Sequence, residues 1–333
     1  MAPNDIKQPT AGIADEIPLT TEPVGFTPDQ MVGCDKCGKS NPPTRFACLY
    51  CAASLRVSTD AVHRKKLVLR VLEPWEHGVN FVVLGNAGEE AVKQAANILG
   101  TDAQWLRAVI ETGRHLPIAR VESAASEPVE KILASLGFEC RLVTDRELNC
   151  TAGPLRLRGI KFLDGYVEFV AFNTGKSVRV ATDQISHLVS GSLYRSQTQV
   201  LEKHSRRERR QLDEAQTSED EAVVDIYTNN DRLGFRVMQH GFDFSVLGDD
   251  RDLLAHKNMG RLVEKIVAFA PQIANCNGYN DIRHLLGNVW PPEDKKDAKG
   301  VKRSGLGRLD LSSVRSSDNL LQFTRYSRLQ SLF

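Results

Sequence analysis

The chain has 333 residues, of which 41% are hydrophobic, 26% charged and 7% aromatic, a balance that excludes a wholly disordered or fibrous protein. Forty-three Lys and Arg against 42 Asp and Glu leave a formal charge of +1, so the chain as a whole has no electrostatic bias towards nucleic acid or a membrane surface. The length allows two or three folded units, and no apolar run approaches the roughly 20 residues that a membrane span needs.

Residues 1–30 carry five prolines, five acids and one Lys. Such a stretch buries too little apolar surface to offset chain entropy, and a disordered acidic tail is expected. It lacks the basic start and apolar run of a secretory signal. With seven cysteines in 333 residues, the chain is not a small disulfide-stapled scaffold, and a reducing cytoplasm is the expected compartment.

A cysteine unit spans residues 31–55. Cys34-Asp-Lys-Cys37-Gly38 and Cys48-Leu-Tyr-Cys51 form two CxxC pairs with ten residues between them. Each pair presents two thiolates from one tight knuckle, and Gly38 permits the backbone turn after the second ligand. Two facing knuckles make a tetrahedral sulfur cage suited to zinc. The rivals are two disulfides, or a rubredoxin-like iron or an iron–sulfur site. The unit resembles the zinc-ribbon family, and four protein ligands imply one structural zinc per chain. Cys140 falls in an apolar strand and is expected to be a small core residue. Cys150 and Cys276 have no partner at ligand spacing.

Over residues 66–146 the pattern becomes mixed. Val79–Leu84 is expected to be a buried strand. Helical spacing runs from Glu89 to Gly100, and Thr101 or Asp102 opens a second helix carrying Trp105, Leu106, Val109 and Ile110. His115–Val121 reads as a strand. Ser126-Glu-Pro128 is expected to open a third helix with proline in its first turn, and Phe138–Val143 closes the unit. The order strand, helix, helix, strand, helix, strand resembles the C-terminal domain of the ribosomal stalk protein and the related Clp-protease adaptor fold. That resemblance implies protein binding without chemistry, and no binding residue is carried over.

From Leu155 the period is two. Asp164-Gly165 is a hairpin signal, and strands are expected at Val178–Val180, Ile185–Val189, Leu193–Leu201, Ala222–Tyr227, Leu233–Met238 and Phe242–Leu247. A helix with Leu253, Leu254, Leu262, Val263, Ile266 and Phe269 on one side should close this unit, followed by a shorter one around Tyr279–Leu286. Residues 155–271 resemble a pleckstrin-homology-like domain, an antiparallel β sandwich capped by a helix, within a unit that runs to residue 290. Arg156, Arg158, Lys161 and Lys176 are too spread for the family's phosphoinositide pocket and read as solvated strand faces.

Lys203–Glu221 reads as a charged insertion, basic at Arg206, Arg207, Arg209 and Arg210 and acidic afterwards. Residues 291–333 read as a basic tail ending in an amphipathic segment. There Leu320, Phe323, Tyr326, Leu329 and Phe333 recur at roughly helical spacing. That segment is expected either to dock on a protein partner or to fold back as a last helix.

The architecture expected is therefore multidomain α+β. No Gly-rich phosphate loop, H-E-x-x-H or G-x-S-x-G motif occurs, and the eight histidines are dispersed. The expectation is a non-enzymatic cytoplasmic adaptor or scaffold that binds protein partners. The alternative is a ribosome- or nucleic-acid-associated protein contacting phosphates through Arg206, Arg207, Arg209 and Arg210.

Overall fold

The computed structural model describes residues 26, 31–43, 45, 47–53, 55, 69–73, 75–148, 152–204, 209–229, 234–305 and 308–333, with backbone alone for 199–204, 209–216, 296–305 and 308–313. Apart from Phe26, the tail expected over residues 1–30 lies outside the described residues. The fold is mixed α+β, and no helix among the described residues is long and apolar enough to cross a membrane.

The cysteine unit holds a two-residue ladder, β1 (Val32–Gly33) with β2 (Ser40–Asn41). The next unit has the expected order: β3 (Val79–Val83), α1 (Glu89–Leu99), α2 (Ala103–Glu111), β4 (Pro117–Val121), α3 (Ser123–Ser135) and β5 (Cys140–Thr144). β3 is central and antiparallel to both neighbours. Asp102 caps α2 by accepting the Trp105 amide at 2.8 Å, satisfying one of the donors that a helix start leaves orphaned. α3 begins a turn earlier than Ser126, because Ala125 is buried and draws the first turn into the core. Pro128 therefore stands inside the helix rather than in its first turn. A short helix, α4 (Asp145–Leu148), ends the unit.

A nine-stranded sheet follows, made of β6 (Leu155–Leu163), β7 (Tyr166–Ala171), β8 (Ser177–Ala181), β9 (Ile185–His204), β10 (Arg209–Thr228), β11 (Phe235–Met238), β12 (Ala274–Cys276), β13 (Glu293–Gly305) and β14 (Arg308–Asp318). The strand order is β13-β14-β9-β10-β11-β6-β7-β8, with β12 on β9. Two pairings, β11 with β6 and β12 with β9, are parallel. The sheet is thus not wholly antiparallel as the sandwich expectation required.

Both faces of this sheet are buried at its centre, and the pleat sorts the side chains. Val223 and Tyr227 of β10 face one core; Val224 and Ile226 face the other. The second core is closed by α5 (Ala255–Phe269) through Met259, Leu262 and Ile266. Leu253 and Leu254 precede α5 and are exposed, so neither belongs to its inner face. Phe244–Asp250 is 3-10 helix instead of strand, started by Asp243, whose carboxylate accepts the Ser245 amide at 2.9 Å.

The first core joins what the sequence reads as separate units. Phe81, Leu106 and Val129 share it with Val189 and Val223 of the sheet and with α6 (Tyr279–Leu286) and α7 (Leu320–Gln330). Gly191 of β9 makes the approach possible: a Cβ there would stand 2.7 Å from Tyr279 and 2.8 Å from Phe323.

Two further expectations are corrected. The charged insertion at Lys203–Glu221 is largely strand, with β9 and β10 paired from His204–Arg209 inward. Residues 293–305 and 308–318 form the antiparallel pair β13–β14, with β14 laid antiparallel on β9. α7 then follows the second course open to it and folds back. Phe323, Tyr326 and Leu329 are fully buried, while Leu320 and Phe333 keep 37% and 39% of their surface exposed.

Candidate metal centre

The two cysteine knuckles have one backbone pattern. The Gly38 amide donates to the Cys34 carbonyl at 2.8 Å and the Cys34 amide to Lys39 at 3.0 Å; the Ala52 amide donates to Cys48 at 2.9 Å and the Cys48 amide to Ala53 at 2.8 Å. Each closes with a left-handed residue, Gly38 at φ 70° and Ala52 at φ 55°. Gly38 adopts that region freely, whereas Ala52 carries a Cβ there at a cost.

The knuckles bring all four Sγ atoms within 4.8 Å of one another. Cys34 and Cys51 sulfurs stand 3.6 Å apart, and Cys37 and Cys48 sulfurs 3.5 Å apart. A regular tetrahedron with Zn–S bonds of about 2.3 Å has edges of about 3.8 Å, so the cage fits zinc. All four thiols are free. When bound, the ion ties the knuckles together and supplies folding free energy.

Asn41 is fully buried beside the cage. Its amide donates to the Lys39 carbonyl at 2.8 Å and to the Cys48 sulfur at 3.4 Å, and its carbonyl oxygen accepts the Leu49 amide at 2.8 Å. It therefore clamps one knuckle to the other and orients the Cys48 sulfur, the place that residues behind metal ligands commonly take. No spacing rule marks it, because its contacts run between the knuckles rather than along one.

The cage polarises its thiols unequally. Burial opposes ionisation of Cys48, but the amides of Tyr50 and Cys51 with Asn41 prevail and pull its thiol down to about 6. The Lys39 amide acts in the same direction on Cys37, yet burial and the surrounding thiols push it up to about 12. At the rim Leu49 and Tyr50 are exposed, and the Lys39 ammonium lies 4.3 Å from the Tyr50 ring centre.

The other cysteines stay apart from this chemistry. Burial pushes the half-buried Cys140 thiol up to about 12 and raises that of Cys276, which makes both poor nucleophiles. Cys150 lies outside the described residues. Among the strand cations, Lys161 and Arg179 both bind Glu168, at 2.9 Å and 3.1 Å, and hold its carboxyl down at about 2. Arg156 covers the Phe172 ring at 4.1 Å and donates to the His240 carbonyl at 2.7 Å. Arg209 and Arg210 open β10, opposite His204 and Lys203; Arg206 and Arg207 lie outside the described residues.

No family model, curated protein or solved structure matches this chain.

Proposed function

We propose that the protein is a non-enzymatic cytoplasmic adaptor whose zinc ribbon is a structural docking module for protein partners. The observation that carries this reading is the closed four-sulfur cage with an exposed knuckle tip. Four protein sulfurs leave no coordination position for substrate or water, so the ion has a structural role. Leu49, Tyr50 and Lys39 then stand on a rim stiffened by metal, and rigid aromatic surface is what protein interfaces favour.

The test is affinity capture with Leu49→Asp and Tyr50→Ala against the unaltered chain, each loaded with zinc. Partners lost from both variants, with one zinc retained per chain, support the adaptor reading. An unchanged partner set overturns docking through the ribbon.

A further inference from the structure

Two basic segments about a hundred residues apart in sequence meet at one end of the large sheet. Arg303 of β13 pairs with Leu309 of β14, Leu309 with His204 of β9, and His204 with Arg209 of β10. The adjoining row reads Lys302, Asp310, Lys203, Arg210, and Gly305 pairs with Arg308 at the end. The two strand pairs thus end side by side among the described residues, where Arg209 opens β10 and Arg308 opens β14.

The charge on the chain is divided accordingly. Residues 201–212 and 299–310 hold nine Lys or Arg against three acids, Glu202, Glu208 and Asp310; the remaining residues hold 34 against 39. The overall charge of +1 therefore conceals a basic end on an acidic body.

The acids that follow in sequence offset this end only in part, since Asp213 and Glu214, three and four residues from Arg210, are the only ones of them within about 10–13 Å along the strand. Asp213 and Glu214 pair with Leu201 and Val200, further in along the strands. Glu219 is nine residues from Arg210, which on an extended strand is about 30 Å, several Debye lengths at physiological salt. Glu219 and Glu221 are also within 3.4 Å and 3.2 Å of His240, and Asp220 is within 3.6 Å of Arg283.

We propose that the paired hairpin ends, which place Lys203, Arg210, Lys302 and Arg308 on one face of the sheet and Arg209 and Arg303 on the other, bind the phosphate backbone of double-stranded nucleic acid. Four strands side by side span about 14 Å, wide enough to engage more than one phosphate at once. Neither hairpin has an aromatic residue between Arg195 and Glu221 or between Glu293 and Asp318. Single-strand binding needs stacking platforms, which neither hairpin supplies. Charge without rings fits a duplex, whose phosphates stand in fixed positions. This surface is independent of the ribbon docking proposed above.

The experiment uses the full zinc-loaded chain with labelled 20-base-pair RNA and DNA duplexes, followed by anisotropy between 50 and 200 mM salt. Binding should weaken linearly on a log–log plot. The paired variants Lys203→Glu with Arg210→Glu, and Lys302→Glu with Arg303→Glu, should each lower affinity at least tenfold. Each lost phosphate contact removes about 0.9 from the slope on DNA. The exposed pair Lys93→Glu with Lys131→Glu, on α1 and α3, is the control and should leave binding unchanged. Failure to bind either duplex at 50 mM salt overturns the proposal. So does an effect confined to one hairpin, or an equal effect of the control pair. Binding to phosphatidylserine vesicles that the hairpin variants abolish, without duplex binding, would transfer the surface to membranes. Circular dichroism melts of all variants separate lost binding from lost folding, and ribbon variants should bind duplex normally.

Discussion

The Trp290 indole donates to the side-chain carbonyl of Asn80 at 2.9 Å, a bond between residues 210 positions apart. Asn80 in turn donates to Asp145 at 2.9 Å and to the Val143 carbonyl at 3.0 Å. Both partners of the indole bond are fully buried. It lies in the core that joins the small α/β unit to the large sheet, so the two should unfold together. Asn80→Ala leaves the indole and one carboxylate oxygen without their bonds, and a loss of about 3 kcal/mol is expected from buried groups left unpaired. Urea denaturation followed by tryptophan fluorescence and by circular dichroism should give one coincident transition in both proteins. Two separate transitions would show independent domains.

Asp225 and Arg236 make a bidentate pair, 2.7 Å at each contact, with both side chains buried. Arg236 also donates to Thr324 of α7 at 3.0 Å. Removing one partner of such a pair strands a charge, so Arg236→Met should cost about 3–5 kcal/mol. Asp225→Leu in the Arg236→Met background should recover most of that loss. A double variant no better than the single one would mean that the carboxylate has another source of stability.

The C-terminal helix shows where sequence reading stops. Every residue from Gln322 to Leu329 is buried, including Arg325 and Arg328. Helical periodicity reports only which side is apolar, and a helix buried all round by hydrogen-bonded polar groups looks half exposed. Arg328 donates to the Leu148 carbonyl at 2.9 Å, and Tyr227 and Ser327 hydroxyls meet at 2.9 Å; these partners are remote in sequence. The long hairpins escaped for a related reason, since strands with polar residues on both faces have no alternation to read. By contrast, the small α/β unit was legible because its helix caps, glycine stops and periods are all local. The cluster of Cys34, Cys37, Cys48 and Cys51 was legible from spacing alone.

Leu329 is fully buried in the shared core, so Leu329→Ala should cost about 3 kcal/mol and lower Tm by roughly 5–10 °C. Deleting residues 320–333 removes Phe323 and Tyr326 as well and should abolish cooperative folding. A deletion that melts like the full chain would return the segment to a docking role.

Asp145 supplies a pH test. Burial disfavours its charge, but Arg120, Asn80 and the Gly78 amide outweigh that and hold its carboxyl below the ordinary range. The Arg120 contact is 2.7 Å. A carboxyl lowered by folding contributes stability that is complete above its unfolded pKa, near 4, and is lost as pH falls towards the folded value. Stability should therefore decline below about pH 4, and Asp145→Asn should flatten that decline while lowering stability at pH 7. An unchanged acid limb in the variant would assign the decline to other carboxylates.

Cys48→Ser tests the metal centre. Protein purified without added metal should carry one zinc per chain by elemental analysis, and the variant should carry none. Cys34, Cys48 and Leu55 form a cluster with Val32, Cys51 and Ala53, all inside the ribbon and separate from the other two cores. So small a cluster supplies little burial, and the ion must supply most of the folding free energy. Hydrogen exchange in Cys48→Ser should therefore rise across residues 31–55 and stay unchanged in β3, β9 and α7. The Asn41→Ala variant should still bind zinc, but about 10–100-fold more weakly, because it loses the clamp behind Cys48 and keeps all four ligands. Iron in place of zinc, or disulfides that persist under reducing conditions, would overturn the assignment. Exchange that spreads into β3 would instead show that the ribbon supports the core beyond it.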